Sequence, residues 1–303
     1  MSDPVASPTA SSEKRGSSRA LAVSGQLSAA KDSLSASPSR ITPSQLQLIA
    51  GRLTDQDWRV LGFVAASRLA SGKQLVQGLW MADRHSTPSR ARIARRGLKR
   101  LSDLRVLDRL PGRTVGGLHG GSDTIVYGVG VAGARLLARR GQPQRRLGTP
   151  GARYVTHTLA CTQIAVDLAV LAARGQLELI EIQQEPECWR AFLGPMAVRW
   201  TCKPDLLVRV AAPGSVYEQR WMIEMDMATE ASATIRSKAL RHLAYLRSAS
   251  EPVHPRVVWA VPDARRAEQV GEVLRRLPAP ADRLFSVCLM DEVMGFVIRE
   301  ARS

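Results

Sequence analysis

The chain has 303 residues, 45% of them hydrophobic, which is enough for one large core or two ordinary ones, and two domains are the better expectation. Its formal net charge of +16 makes nucleic acid the leading class of partner. The four cysteines form no Cys-x-x-Cys pair, which argues against a zinc ribbon or a disulfide framework and favours reduced core thiols. No run of 18 apolar residues and no apolar leader occurs, so we expect a cytoplasmic protein without a membrane partner.

The positive charge is concentrated in one third of the chain. Residues 51–150 contain 19 basic and 6 acidic residues, whereas residues 151–303 contain 19 and 18. A genome-wide preference for arginine codons is the simplest alternative explanation, but it would not spare residues 151–303. The distribution therefore predicts a basic domain joined to a nearly neutral one.

The N-terminal segment, residues 1–43, predicts a disordered tail. It combines Ser, Ala and Pro with scattered charges and has no periodic apolar face. We expect order to begin at Thr54, where the Thr54-x-x-Asp57 spacing resembles a capping box ahead of a first helix.

Two further helices are predicted after the first. A short one follows Ser71-Gly72 and carries Leu75, Leu79 and Trp80 at helical spacing. Residues 87 and 88, Thr followed by Pro, are typical of a helix start and open a third helix that runs to about residue 104.

The third helix has a basic arc opposite an apolar face. Ile93, Leu98 and Leu101 are among the residues predicted to pack. The arc consists of Arg92, Arg95, Arg96, Lys99 and Arg100. A charged arc is usually a solvated face, but this one lacks the interspersed glutamates that stabilise exposed helices. We therefore predict contact with DNA phosphates or a DNA groove.

A strand–loop–strand pattern follows the third helix. Residues 106–110 and 124–127 are predicted strands, and the Gly-rich loop 111–121 between them carries Arg113. The loop lacks the Gly-Lys-Ser/Thr ending of a nucleotide-binding loop. Three helices followed by a hairpin predict a winged helix-turn-helix domain over residues 44–150, with double-stranded DNA as its partner and Arg113 on the wing.

The remaining residues, 151–303, predict a mixed α/β sheet domain. Helices are expected over residues 157–173, 230–247 and 264–277, and strands over 177–182, 204–210, 220–227, 257–261 and 284–289. The segment between residues 182 and 204 is expected to be a loop. This order of elements is typical of a sheet with helices on its faces.

Three carboxylates stand out in this second domain. Asp205 begins one predicted strand, and Glu224 and Asp226 share one face of the next. Their convergence would make an oxygen-rich site for Mg²⁺ or Mn²⁺, with Lys238 as an added cation. The alternative is a solvent-facing pair of acids on an ordinary strand. For His157 and His242, each on a predicted helix, packing is expected rather than metal coordination.

The motif residues resemble those of a known family. Lys203-Pro204-Asp205, Glu224-x-Asp226-x-x-Thr229-Glu230, Lys238 and Tyr245 resemble the pattern of the replication-relaxation proteins of actinobacterial plasmids and integrated elements. The resemblance covers about residues 54–250. Its C-terminal part is similar to the PD-(D/E)xK nucleases, a restriction-endonuclease-like fold. That similarity implies Asp205 and Glu224 as metal ligands.

Two positions depart from these patterns. The nuclease motif has lysine two residues after the acid, where this chain has Asp226, so Lys238 would have to supply the cation from the following helix. The family often has glycine before the Thr-Glu pair, where this chain has Ala228.

Two functions therefore stay open at this stage. The first is a metal-dependent DNA nickase of plasmid or mobile-element replication and relaxation, with Asp205, Glu224, Asp226 and Lys238 as its catalytic residues. The second is a non-enzymatic DNA-binding factor in which the nuclease-like domain is inactive. Replication or transfer proteins are candidate partners, and the sequence leaves the oligomeric state open.

Overall fold

The structure is a computed structural model that describes residues 40–80, 87–110, 125–142, 150–248, 251 and 253–302. Residues 1–39, most of the predicted tail, lie outside this description, as does the predicted wing tip with Arg113. Residues 43–303 form one compact unit. The proposed division near residue 150 therefore stays a prediction.

The first part of this unit contains the predicted helices. Its elements are α1 (Pro43–Arg52), α2 (Asp55–Ser67), β1 (Leu69–Ser71), α3 (Gly72–Leu79), α4 (Thr87–Asp103), β2 (Leu107–Arg109), β3 (Val126–Val129) and α5 (Val131–Arg139). Helix α1 precedes Thr54, where order was expected to begin. It buries only Leu46, so its sequence carries no clear apolar stripe.

The predicted start of α2 is confirmed. The Asp57 backbone N–H donates to Thr54 Oγ1 at 3.2 Å, and the Thr54 N–H donates to Asp57 Oδ2 at 2.8 Å. Ser71 and Gln74 form a second such box at the start of α3. Each box satisfies backbone donors that the first helical turn leaves without partners.

The predicted strands after α4 pair with each other and with β1. Strands β2 and β3 are antiparallel, with Leu107 opposite Val129, and the three-stranded sheet has the order β1-β3-β2. Strand β1 was not predicted, because three residues are too few to show alternation.

The second part is built on a larger sheet. Its elements are α6 (Ala152–Ala173), β4 (Glu178–Gln184), β5 (Arg190–Leu193), β6 (Arg199–Cys202), β7 (Leu206–Ala211), β8 (Gln219–Met225), α7 (Ser232–Arg247), β9 (Arg256–Val261), α8 (Ala264–Arg275), α9 (Ala281–Leu284), β10 (Phe285–Leu289) and α10 (Val293–Arg302). The five-stranded sheet has the order β10-β9-β8-β7-β4. Strands β4, β7 and β8 pair antiparallel, whereas β8, β9 and β10 pair parallel, so the mixed α/β class is confirmed.

Two apolar layers cover the faces of this sheet. One contains Met222 and Trp259 with residues of α7 and α8. The other contains Trp221 and Ile223 with residues of α6 and α10. Alternate residues of β8 therefore face opposite layers, as the period of a strand requires.

Several elements differ from the sequence prediction. The segment between residues 182 and 204, expected to be a loop, contains the antiparallel hairpin β5–β6. Helix α10 follows the strand that was expected to be last, and α6 begins at residue 152 rather than 157. The hairpin was missed because its apolar residues lie on both the packed and the exposed side, which hides the alternation.

Helix α6 is long and apolar enough to meet the size and hydropathy of a membrane span, and 56% of its most apolar window is buried. Its apolar side chains pack against the sheet, including Ile164 and Leu168. A core helix meets the same criteria, so this is weak evidence for a membrane segment. The cysteines are free, as expected, with Cys161, Cys188 and Cys202 buried and Cys288 half-buried.

Candidate functional site

Asp205 closes the end of the β7–β8 ladder. Its backbone N–H donates to the Ile223 carbonyl at 3.0 Å, and its Oδ2 accepts the Met225 N–H at 2.7 Å. The Asp205 carboxylate thus takes the place of a backbone carbonyl as hydrogen-bond acceptor, one residue beyond the last pair of the ladder. Asp205 is buried, and its position is fixed by the sheet rather than by a mobile loop.

His157 of α6 contacts the same carboxylate. Its Nε2 lies 3.3 Å from Asp205 Oδ2, and its Nδ1 lies 3.9 Å from Cys161 Sγ, one helical turn further on. The hydrogen bond to Asp205 raises the pKa of His157 and outweighs the opposing effect of burial. Burial holds the pKa of the Cys161 thiol well above its usual value. His157 and Cys161 therefore lie beside Asp205, although the predicted site consisted of three carboxylates and Lys238.

Glu224 is buried between two cationic side chains of α7. Lys238 Nζ donates to Glu224 Oε2 at 3.2 Å, and His242 Nε2 lies 2.7 Å from Glu224 Oε1. Burial lowers the pKa of His242, but the contacts with Cys202 and Glu224 have the larger opposite effect and raise this pKa to about 10. The direction of this shift favours the protonated imidazole beside the Glu224 carboxylate. The alternative of a solvent-facing acid on β8 is wrong for Glu224, which is 1% exposed.

Asp226 has different partners. Its Oδ2 accepts from Arg266 Nε of α8 at 2.6 Å, and its Oδ1 accepts the Ala228 N–H at 2.8 Å. Arg266 also donates to the Glu230 carbonyl at 2.7 Å. Asp226 is buried, so the solvent-facing alternative is wrong here too, but its two oxygens are engaged in holding the β8–α7 connection against α8.

The predicted carboxylates do not all converge. Within the described part of the chain, the group of three side chains whose ligand atoms lie within 4.8 Å of one another is His157, Cys161 and Asp205. Asp205, Glu224 and Asp226 do not form such a group. Asp205 and Glu224 offer the hard oxygen donors that Mg²⁺ and Mn²⁺ prefer. Asp226 offers the same donors, but it forms an ion pair with Arg266. Glu224 is likewise paired, through Oε2 with Lys238 and through Oε1 with His242, so a divalent ion shared by Asp205 and Glu224 would have to displace one of these contacts.

Two small cavities flank these acids. One, of about 90 Å³, is lined by Asp205, His157, Cys161, Glu185 and Arg68, the last from the end of α2. The other, of about 180 Å³, is lined by residues around Glu224. Its lining comprises Thr201, Cys202, Lys203, Glu224, Ser237, Lys238, Arg241 and His242. Polar groups from both parts of the chain therefore border the acidic residues.

The sequence missed the two histidines of this site. His242 lies four residues after Lys238, so both occupy one face of α7 and reach the same carboxylate. That spacing was a usable signal. The contact between His157 and Asp205 left no signal in the sequence, because 48 positions and several elements separate the two residues.

The basic arc of α4 faces solvent. Arg92, Arg95 and Arg96 are exposed, as predicted. Lys99 pairs with Asp103 at 2.7 Å, and Arg100 donates to the buried Asp57 at 2.6 Å, although the arc was expected to carry charge of one sign only.

The apolar face of α4 also differs at one point. Leu98 and Leu101 are buried, but Ile93 is 40% exposed, contrary to its predicted packing. Ile93 thus belongs to the same solvent-facing surface as its arginine neighbours.

A comparison with protein families matches residues 61–257 to the family described as "Replication-relaxation". The matched segment is almost two thirds of the chain and runs from α2 into β9. It includes the basic arc of α4 and all four predicted catalytic residues. No curated protein matches the chain.

Proposed function

The chain belongs to the replication-relaxation family, and from that premise we propose that it binds duplex DNA of a plasmid or mobile element through a winged helix. Family membership points to a role in replication or relaxation of such elements. The observation that carries the proposal is the exposed row Arg92, Arg95 and Arg96 on α4, the helix that immediately precedes the β2–β3 hairpin.

The local topology supports this function. The order α2-β1-α3-α4-β2-β3, with β1 added to the hairpin, is the arrangement expected of a winged helix. In that arrangement the third helix enters the major groove and phosphate contacts supply much of the affinity. The solvent-facing side of α4 is the cationic one, so its orientation matches this use.

The binding proposal is tested by salt titration of duplex binding. Replacing Arg92, Arg95 and Arg96 together by alanine is expected to weaken binding and to flatten the dependence of log K on log salt by about 0.9 for each phosphate that the variant no longer neutralises. The matched control replaces Arg265 and Arg275 of α8 and Arg276, which follows it, by alanine. These three arginines are also exposed, so the control removes the same charge. Equal effects in both triple variants would show that net charge, not α4, determines binding.

A second function, DNA nicking, is favoured by one specific arrangement. Asp205 and Glu224 lie at the same end of paired strands, and Lys238 contacts Glu224. Mg²⁺ or Mn²⁺ held by Asp205 and Glu224 would supply water activation and charge stabilisation at a phosphodiester. The chain itself holds both carboxylates rigidly in the sheet and keeps a cation beside Glu224. Asp226 serves in this proposal as a positioning residue for the β8–α7 connection.

The nicking proposal is tested with supercoiled plasmid incubated with Mg²⁺, Mn²⁺ or EDTA. We expect metal-dependent open circles that are lost in Asp205→Asn and Glu224→Gln but retained in Glu268→Gln, an exposed acid of α8. Gel shifts check that the two inactive variants still bind. Intact supercoils despite strong binding by the unaltered protein would identify a non-enzymatic DNA-binding factor.

A further inference from the structure

The β5–β6 hairpin presents an apolar tip to solvent. Met196 is 93% exposed, and Leu193 and Val198 on either side of it are also exposed. The opposite side of the hairpin is packed, because Phe192 is buried and its ring lies 5.4 Å from the ring of Tyr245 in α7. The hairpin is therefore anchored at its base and apolar at its end.

The backbone of the tip holds this shape. Gly194 donates its N–H to the Val198 carbonyl at 2.8 Å, which closes the hairpin. A β-carbon at Gly194 would lie 2.7 Å from the Trp200 ring, so only glycine allows this close approach. Met196 and Ala197 both have positive φ, 58° and 59°, a conformation that L-residues rarely adopt. The exposed methionine thus sits on a defined turn.

Exposed cations lie along the hairpin, from Arg199 beside its tip to Lys203 at its base. Arg199, Lys203 and Arg241 are all exposed. Lys203 lies over the Trp189 ring at 4.5 Å, and the guanidinium of Arg241 lies 5.6 Å from the Trp200 ring centre. These contacts keep both cations near the hairpin. Lys203 and Arg241 also line the cavity that contains Glu224, so the hairpin borders the candidate site.

We propose that the β5–β6 hairpin is a wedge that enters duplex DNA, with Met196 between base pairs, Arg199 on an adjacent phosphate, and Arg241 and Lys203 on phosphates further along the duplex. The inference rests on the proposed DNA-binding function and extends it to a second contact. Protruding Met or Leu side chains flanked by cations are what unstacks base steps in proteins that distort DNA. A protein partner would more naturally meet a broad apolar patch than a narrow protrusion bordered by positive charge. Local unstacking would open DNA beside the candidate site.

Unwinding of closed circular plasmid tests the wedge without knowledge of the DNA sequence bound. The full chain is bound to saturation in EDTA, a topoisomerase that needs no metal relaxes the plasmid, and the linking number is measured after protein removal. We expect a change in linking number with the unaltered protein and with Met196→Leu, and its loss with Met196→Glu at equal occupancy. The matched control is Val216→Glu, because Val216 is 91% exposed in the turn between β7 and β8, away from the cationic border.

The outcomes separate the two proposals. An unaltered protein that fails to bind plasmid overturns the DNA-binding function itself. Binding with an unchanged linking number, or an equal change with Met196→Glu, overturns the wedge alone. A third outcome is that the unaltered protein forms concentration-dependent dimers, that Met196→Glu alone abolishes them, and that the linking number does not change. The tip would then mediate contact between copies of the chain, and the wedge would be overturned.

Discussion

Ala228 adopts a left-handed backbone conformation, with φ of 56°, in the connection between β8 and α7. Its N–H is held by Asp226 Oδ1, so the turn does not relax to a more favourable φ. L-residues incur a steric cost of about 1–2 kcal/mol there, whereas glycine does not.

We therefore expect Ala228→Gly to raise the free energy of unfolding by about 1 kcal/mol, since relief of the steric cost exceeds the added chain entropy. Ala233→Gly in α7 is the control, and it should lower that free energy by up to about 1 kcal/mol. Urea unfolding measures both. A decrease in stability in both variants would contradict the strain at Ala228.

The ion pair between Asp226 and Arg266 is also a residue-scale property. Both side chains are almost completely buried. Because removal of one partner leaves a buried charge uncompensated, Asp226→Asn is expected to lower the free energy of unfolding by about 3 kcal/mol, in EDTA as well as in Mg²⁺.

Combining Asp226→Asn with Arg266→Met should recover part of this stability, because the double variant leaves no buried charge. Urea unfolding of the unaltered protein and of the single and double variants gives the free energies for this double-mutant cycle. A destabilisation that appears only when Mg²⁺ is present would instead make Asp226 a metal ligand and would contradict its positioning role.

At the scale of elements, α4 is fixed to α2 by one of its own basic residues. Arg100 donates to the buried Asp57 and to the Arg52 carbonyl, and Asp57 also caps α2. Lys99, by contrast, pairs with the exposed Asp103 one turn away. The basic arc therefore contains one structural residue and several that face solvent.

Arg100→Ala is accordingly expected to lower the free energy of unfolding by about 1 kcal/mol, a value reduced by the partial exposure of the guanidinium. Lys99→Ala is the control and should change it by less than about 0.5 kcal/mol. Thermal or urea unfolding gives both values. If the two variants behave alike, Arg100 does not stabilise the packing of α4 on α2.

At the scale of the whole molecule, the two parts of the unit share buried polar contacts. The Gln74 side chain of α3 donates to the Leu159 carbonyl of α6 at 2.7 Å, and Thr162 Oγ1 donates to the Leu69 carbonyl of β1 at 2.8 Å. Gly78 of α3 also packs against Val166 of α6. These contacts connect the first part directly to the helix that carries His157.

We expect residues 43–303 to unfold as one cooperative unit for this reason. Hydrogen exchange should give the slowest amides of α3 and β8 the same opening free energy, and Gln74→Ala should lower both by about 1–2 kcal/mol. If α3 opens at a lower free energy and it alone responds to the substitution, the two parts are separate domains, divided near residue 150.

Features that depend on neighbours along the chain could be predicted from the residues alone. The capping box of Thr54 and Asp57, the solvent-facing arginines of α4 and the alternation of Trp221 and Ile223 all follow from local spacing, because helices and strands repeat with fixed periods. The net positive charge of residues 51–150 also follows directly from the sequence.

The partners of the acidic residues, in contrast, depend on how the helices pack on the sheet. Glu224 and Asp226 are two residues apart on one strand, yet they pair with different helices. Glu224 pairs with Lys238 and His242 of α7, whereas Asp226 pairs with Arg266 of α8. Sequence periodicity predicts which face of a strand a side chain occupies but not which helix covers that face at each point. Long-range contacts such as His157 with Asp205, and the exposed tip at Met196, depend on that packing and become visible only in the folded chain.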